Sequence, residues 1–451
     1  MSVGPRRRLA LTCSIAGAAL VALDGTVLTV VQPTLQRELG ATVAQVQWTG
    51  TGYLIAVAAL LVVAGRLGDL YGHGRLFAVG VLGFGAASAG IGLAPSIGWV
   101  VALRVAQGVF GALLQPATLG MLRAAYPPDR LGMPIALRTG AIGLAAAAGP
   151  LLGGALTAWL GWRPVFLLNV GPTLLVGAAA FALRLPVPAR RERTPLDLPG
   201  AALLALSLAA PVYALTAWRE AAGWPALALL LGAAAAAAFA RRLRTAAHPL
   251  FAPRLLGEGP VAGSLGVLVA ASAALFGTLF VGNFFLQEVQ GLDPLTAGLR
   301  ALPLPLLMVV GAPVSALAAR RYGPRRTVAV GLVLLALGAA LLARLDGAAS
   351  APATGGCFLL MGAGFGAVMV TATAVVVRHA EASAAGVAGG LQQTALNVGP
   401  TLGTAVAALL LMASPPPGPA LVLALLPAAA VPLALRALPG SSGRPAASDV
   451  H

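Results

Sequence analysis

Apolar residues in this chain fall into long runs separated by short segments rich in Arg, Gly and Pro. A helix of about 20 apolar residues spans the hydrocarbon core of a bilayer. Fourteen runs approach that length, at 10–31, 48–65, 76–94, 98–121, 135–158, 164–183, 200–217, 224–240, 261–286, 296–318, 327–344, 354–377, 384–412 and 420–436. Each predicts one membrane-spanning helix, because only a helix satisfies its own backbone in lipid without a sheet partner. The fold class that follows is an all-α membrane protein of about 14 transmembrane helices. The first run is too long for the core of a cleavable signal peptide and lacks a clear small-residue cleavage site.

Composition agrees with the pattern. Hydrophobic residues make up 59% of the 451 and charged residues only 9%, against about 25% charged in soluble domains. The net charge of +16 raises the question of nucleic acid, and its distribution excludes it. Every basic residue other than His is Arg, clustered between runs at 6–8, 190–193, 241–244 and 320–326. With the N-terminus in the cytoplasm, 23 Arg fall on the cytoplasmic side and five outside, with Arg104 inside a run. That positive-inside bias predicts a multi-pass plasma-membrane protein with both termini cytoplasmic, and an even number of spans. The two cysteines, Cys13 and Cys357, lie in apolar runs, and His73, His248, His379 and His451 are expected in loops or the tail. Nothing in their spacing predicts a disulfide or a metal site.

Two internal echoes organise the runs. YGHGRLFAVG (71–80) returns as YGPRRTVAVG (322–331), a shift of 251, and AGPLLGGA (148–155) returns as VGPTLGTA (398–405), a shift of 250. Both shifts equal eight spans. The chain therefore reads as two pseudo-twofold six-helix bundles with two inserted central helices. The expected division is an N-terminal bundle over 1–183, a linker with the inserted helices and a second loop over 184–260, a C-terminal bundle over 261–437, and a disordered tail over 438–451.

Candidate chemistry concentrates on one residue. Asp24 lies within LTCSIAGAALVALDGTVLTVV (11–31), and an ionisable group inside a span costs at least about 2.5 kcal/mol on insertion scales. Such a residue points to proton or cation handling, the plainer alternative being an Asp hydrogen-bonded for helix packing. Burial disfavours the charged form of a carboxyl group in general. Arg104 is its candidate partner, unless it snorkels from near its helix end. Span 9, the repeat of span 1, carries no acid, and span 12, the repeat of span 4, carries no Arg. Glu288 is a second acid to weigh, expected at the outer interface beside Gln287 and Asp293. Polar residues inside other runs, Gln32, Tyr53, Gln107, Gln115, Asn283, Gln392, Gln393 and Asn397, are candidates for a mostly apolar cavity or for interhelical hydrogen bonds.

Several segments resemble one family. GRLGDLYGHGR (65–75) resembles the cytoplasmic signature loop of the major facilitator superfamily through Gly65, Asp69, Gly72 and Arg75, with Leu70 and Gly74 where basic residues are usual. Its glycines suit a tight turn, and Asp69 can pair with an Arg or cap a helix N-terminus. RVAQGVFGA (104–112) resembles the span 4 signature through Arg104, Gln107 and Gly108. GLAAAAGPLLGGA (143–155) resembles the span 5 motif of antiporters through Gly149, Pro150, Gly153 and Gly154, a pattern that allows close helix approach and a bend. LDGTVLTVVQP (23–33) resembles the span 1 signature of fourteen-span drug:proton antiporters through Asp24, Thr26, Val27 and Pro33, with Thr29 and Gln32 as departures. WRPVFLLNVGP (162–172) and QEVQGLDPLTAGLRALP (287–303) are similar to segments of the same group.

The resemblance implies a proton-coupled exporter of small amphipathic organic molecules working by alternating access. Asp24 and Arg104 would couple it to protons. It implies no cofactor beyond the proton gradient, no nucleic-acid partner, a surrounding lipid bilayer and a monomeric chain. Absence of Lys and an Ala/Arg/Gly/Pro bias resemble high-GC actinobacterial proteins, among which similar exporters often confer antibiotic resistance. Two other readings stay open on residues alone: a facilitator of an endogenous metabolite or nutrient, and an integral membrane enzyme, which would need a catalytic constellation at the interface.

Overall fold

The computed structural model describes residues 3–182, 197–217, 224–247, 249–250, 259–292, 294–380, 384–413 and 416–440. Among them the regular structure is helical, with no strand. The helices are α1 (Val3–Glu38), α2 (Val43–Tyr71), α3 (His73–Gly92), α4 (Ile97–Ala125), α5 (Gly132–Leu160), α6 (Arg163–Leu167), α7 (Val170–Ala182), α8 (Leu198–Ala217) and α9 (Trp224–Thr245). They continue as α10 (Gly259–Phe284), α11 (Pro294–Ala301), α12 (Pro303–Tyr322), α13 (Pro324–Leu342), α14 (Ala351–His379), α15 (Ala385–Ala413) and α16 (Pro419–Ala437). Thirteen helical stretches of the described residues are long and apolar enough to cross a bilayer, α6 and α7 counting as one and α11 and α12 as another. At the expected seventh span, α8 offers a shorter apolar stretch, Leu198–Pro211. This is a multi-pass membrane protein, and large apolar side chains such as Leu175, Leu230 and Val310 are exposed on its helices.

Helices outrun their apolar stretches. α1 has 36 residues, about 54 Å at 1.5 Å per residue, where the sequence pattern marks 10–31. Hydrophobic runs report the lipid-embedded part of a helix, while its ends depend on local hydrogen bonds. The largest correction falls at 65–75, where the sequence predicts a loop. There α2 continues to Tyr71 and α3 begins at His73, so that Gly72 alone turns the chain. His73 and His379, expected in loops, are likewise end residues of α3 and α14. Most of the expected linker, His248, the loop over 251–258 and the tail beyond Gly440 lie outside the described residues.

The described residues form two compact units. One comprises those of 1–134, 141–255 and 380–398; the other comprises those of 135–140, 256–379 and 399–451. In the first, α4 packs on α2, α3 and α1, α3 packs on α7, and α8 packs on α9 and α2. Asp197 joins the start of α8 to the end of α9, its Oδ1 accepting from Gly200 N at 3.0 Å and Arg242 Nε at 2.7 Å. In the second, α13 packs on α14 and α16, α12 packs on α14, and α10 packs on α14 and α16.

Each sequence echo corresponds to a repeated structural device. Gly72 at φ +96° joins α2 to α3, and Gly323 at φ +85° joins α12 to α13. A side chain is strained in that region, which glycine enters freely. The second echo is a packing seam. A Cβ on Gly149 of α5 would collide with Thr26 of α1, and a Cβ on Gly403 of α15 would collide with the Ala273 backbone of α10. Gly153 and Gly399 continue the two seams, against Val27 and against Val269 and Ser272. Each five-helix echo thus presses glycines onto the first long helix of its own half.

Gly403→Ala must displace backbone, and we expect it to cost about 1–3 kcal/mol, as overpacking does. Gly298→Ala meets nothing within 4 Å and should be neutral or slightly stabilising, since Ala favours helix by about 1 kcal/mol. Melting temperatures of the purified chain in detergent should separate the two; equal melting would rule out the seam on α10.

Candidate functional site

The first unit contains a polar layer between two dry ones. On α1, Leu20 belongs to one apolar cluster and Val27 to another; on α3 the corresponding residues are Phe84 and Ile91. Asp24 and Ser88 lie between them. Arg104 and Gln107 reach the same layer from α4, three positions apart and hence on one helical face, and Asn169 reaches it from the junction of α6 and α7. All five are buried, none more than 3% exposed.

Their hydrogen bonds close on the Asp24 carboxylate. Arg104 Nη1 donates to Asp24 Oδ2 at 2.6 Å and to Gln107 Oε1. Gln107 Nε2 and Asn169 Nδ2 each donate to Asp24 Oδ1 at 3.1 Å. Ser88 Oγ accepts from the same two amides, at 2.7 and 3.5 Å. Arg104 Nε donates to the Thr49 carbonyl of α2 at 3.0 Å, and its guanidinium sits 4.5 Å above the Tyr53 ring. Both carboxylate oxygens therefore accept from donors, and the arginine has an anion, two neutral acceptors and an aromatic face.

The antiporter-like motif bears on the next turn of α1. Gly149 faces Leu23 and Thr26, and Gly153 faces Val27 at distances that a Cβ would make tight. Thr26 directs its hydroxyl to the Ala22 and Leu23 carbonyls, both at 3.1 Å. Gly154 has ordinary room, with Val30 at 3.9 Å from a Cβ. Pro150 lies within α5, and its ring falls outside the described residues.

Asp69, the other buried acid of the signature segments, caps a helix. Its Oδ1 accepts from Gly386 N at 2.7 Å and its Oδ2 from Val387 N at 3.1 Å, in the first turn of α15. A carboxylate there satisfies orphan amides and opposes the helix dipole. His73 Nε2 lies 3.3 Å from the same carboxylate. Gly65 and Gly386 touch so closely that a Cβ on either would collide with the other's carbonyl. Gly72 supplies the turn, and Arg75 is exposed.

The cavity candidates separate. Tyr53 and Gln107 belong to the buried charge cluster. Gln115 is 4% exposed, and its Nε2, like the Tyr53 hydroxyl, meets no hydrogen-bond partner among the described residues. Gln32 is half-buried, and Gln392 is buried. Asn397 Nδ2 donates to the Gln393 carbonyl at 2.8 Å. Asn283 lies in the second unit, exposed and bonded to Gln287, and Glu288 is exposed in the π turn Phe285–Val289 that continues α10. Ser88 carried no sequence signal, because a hydroxyl in an apolar helix usually bonds its own backbone. Asn169 had one, as an amide in an apolar stretch, without an indication of its partner.

Residues 14–404 match the model of the family described as Major Facilitator Superfamily. The chain is 41% identical over 406 residues to the tetracenomycin C resistance and export protein of Streptomyces glaucescens, covering 88% of this chain and 74% of that one. It is 37% identical over 423 residues to the puromycin resistance protein pur8 of Streptomyces alboniger, covering 89% and 81%. Its fold is similar to that of the human organic anion transporter MFSD10 (TETRAN), with a TM-score of 0.71 at 16% identity over 95% of this chain and 99% of that one.

Removing one partner of a buried ion pair costs about 3–5 kcal/mol, whereas removing both charges is often near neutral. Arg104→Ala should therefore lower the melting temperature of the purified chain well below that of the Asp24→Asn/Arg104→Gln double variant. A single variant as stable as the unsubstituted chain would mean that the two charges do not depend on each other.

Proposed function

Because this chain belongs to the major facilitator superfamily, we propose that it exports small amphipathic organic compounds, drugs or antibiotics among them, in exchange for protons. The names of its relatives support the substrate class, one a tetracenomycin C resistance and export protein and one a puromycin resistance protein. It is a transporter rather than an enzyme, as its family and fold require. The arginine bias along the sequence supports a plasma-membrane location with both termini in the cytoplasm. The echoes support two six-helix bundles, over 1–183 and 261–437, and we read the chain as a monomer working by alternating access.

One observation carries the mechanism: Asp24 is the buried partner of Arg104 at 2.6 Å. Deprotonated, Asp24 holds α1 to α4 through that ion pair and to the α6–α7 junction through Asn169. Protonated, it loses the charge that holds Arg104, and Arg104 is left to the Thr49 carbonyl, Gln107 and the Tyr53 ring. Proton binding thus favours one arrangement of α1 over another, and that difference in affinity is what can shift a conformational equilibrium. The glycines of α5 carry the shift, because Gly149 and Gly153 leave no slack against the turn following Asp24. Gln115, with an unmet amide, and Gln32 supply polar contacts for a substrate otherwise held by apolar surface.

Expressed in a drug-sensitive host, the chain should raise the inhibitory concentration of at least one amphipathic toxic compound. Asp24→Asn should abolish that protection, and proton-gradient-driven transport in everted vesicles, when both are measured per amount of chain in the membrane. Gly149→Val should do likewise. Normal export by Asp24→Asn would refute the coupling role, and the absence of any protection across a broad panel would favour an endogenous metabolite as substrate.

A further inference from the structure

A cleft of about 580 Å³ runs between α12 and α13 above α14, wholly within the second unit. Along α12 its wall is one helical face, from Leu307 through Gly311, Ser315 and Ala318 to Tyr322. That stretch measures about 22 Å at 1.5 Å per residue, so the cleft is long and narrow. Its width comes from small residues, Gly311 and Ala318 on one wall and Ala363 and Ala367 beneath. Its polar lining is already satisfied: Ser315 Oγ donates to the Gly311 carbonyl at 2.7 Å and Thr327 Oγ1 to the Gly323 carbonyl at 3.0 Å. The interior therefore offers apolar contact and no free hydroxyl donor.

One end is different. Tyr322 ends α12 and Arg326 lies in the first turn of α13, so both line the cleft where the helical hairpin turns. Arg320, Arg321 and Arg326 are exposed around that turn. Arg325 is committed to the Leu438 carbonyl at 2.9 Å. The acids among the described residues of the second unit, Glu288 and Asp346, lie at the opposite ends of these helices. The negative C-terminal end of α12 and the positive N-terminal end of α13 meet at the mouth, so the arginines rather than the helix dipoles set its charge. An apolar slot with an aromatic and arginines that meet no acid among the described residues at one end matches a lipid, since basic pockets between spanning helices suit anionic headgroups.

We propose that this cleft holds an acyl chain of an anionic phospholipid, with the headgroup phosphate at Arg326. Tyr322 marks the boundary between chain and headgroup, as interfacial aromatics do. The site uses no residue of the Asp24 cluster and stands apart from the export mechanism.

The full chain, purified in detergent, can be incubated with phosphatidylglycerol or phosphatidylethanolamine of equal chain length, stripped, and weighed intact by native mass spectrometry. The expected result is one retained phosphatidylglycerol, preferred about fivefold over phosphatidylethanolamine, the contribution of one arginine near a charged surface. Arg326→Gln should erase the preference, and Ala318→Leu should erase retention of both lipids. Gly311→Val serves as a second filling variant should Ala318→Leu fail to purify as a folded chain. Equal retention of the two lipids by the unsubstituted chain, or unchanged retention in the filled variants, would overturn the assignment. So would displacement of phosphatidylglycerol by an exported compound in a manner indifferent to Arg326→Gln, because the cleft would then be a substrate entrance.

Discussion

A carboxylate and a guanidinium held together inside an apolar bundle constrain the first unit more than any other contact. Each charge costs about 2.5–3.5 kcal/mol at mid-membrane on insertion scales, and neither is tolerable there without its partner. Their needs recruit the surroundings. Asp24 takes amides from Gln107 and Asn169, while Arg104 takes the Thr49 carbonyl and the Tyr53 face. Residues from α1, α2, α3, α4 and the α6–α7 junction are thereby fixed at one level. Apolar clusters close that level on both sides, which keeps the local dielectric low and makes each of these bonds count for more than it would in water.

Two of the buried aspartates of this unit, Asp69 and Asp24, illustrate different uses of the same group. Asp69 answers backbone amides at the start of a helix, where a fixed dipole rewards a permanent negative charge. Asp24 answers side chains, chiefly a cation that is itself anchored elsewhere. A carboxylate opposed by a helix end secures packing, and its helix end cannot move away without exposing bare amides. A carboxylate opposed by a side chain has an alternative state, in which the arginine keeps its other acceptors. The second arrangement is the one suited to a cycle.

Span positions, the burial of Asp24 within a span and the candidacy of Arg104 as its partner are legible in the sequence, because burial cost and apolar length are properties of local composition. The turns at Gly72 and Gly323 are legible from the echo that contains both. What is hidden depends on distance along the chain or on the backbone. Asp69 caps a helix more than three hundred residues away, and no motif identifies that helix. The Thr49 carbonyl has no sequence signature, since every residue carries one. Gln107 and Gln115 are alike in sequence, both amides on α4. Their fates differ because only Gln107 lies one helical turn from Arg104. The loop expected at 65–75 fails for a related reason: polar residues mark exposure to water, and a helix extending beyond the lipid is exposed as well.

The second unit provides a comparison within the same chain. It repeats the glycine turn and the glycine seam of the first. At the repeat shift of 250, Asp24 corresponds to Ala274 and Arg104 to Thr354, both fully buried. Thr354 satisfies its hydroxyl locally at the start of its helix, on the Ser350 and Ala351 carbonyls. The architecture is thus built once with a central ion pair and once with neutral residues in its place. Buried ion pairs are commonly neutral or inferior to apolar packing as sources of stability, and the second unit demonstrates that this bundle does not require one. The charges of the first unit are therefore not explained by the fold, and the coupling role proposed for Asp24 supplies a use for them.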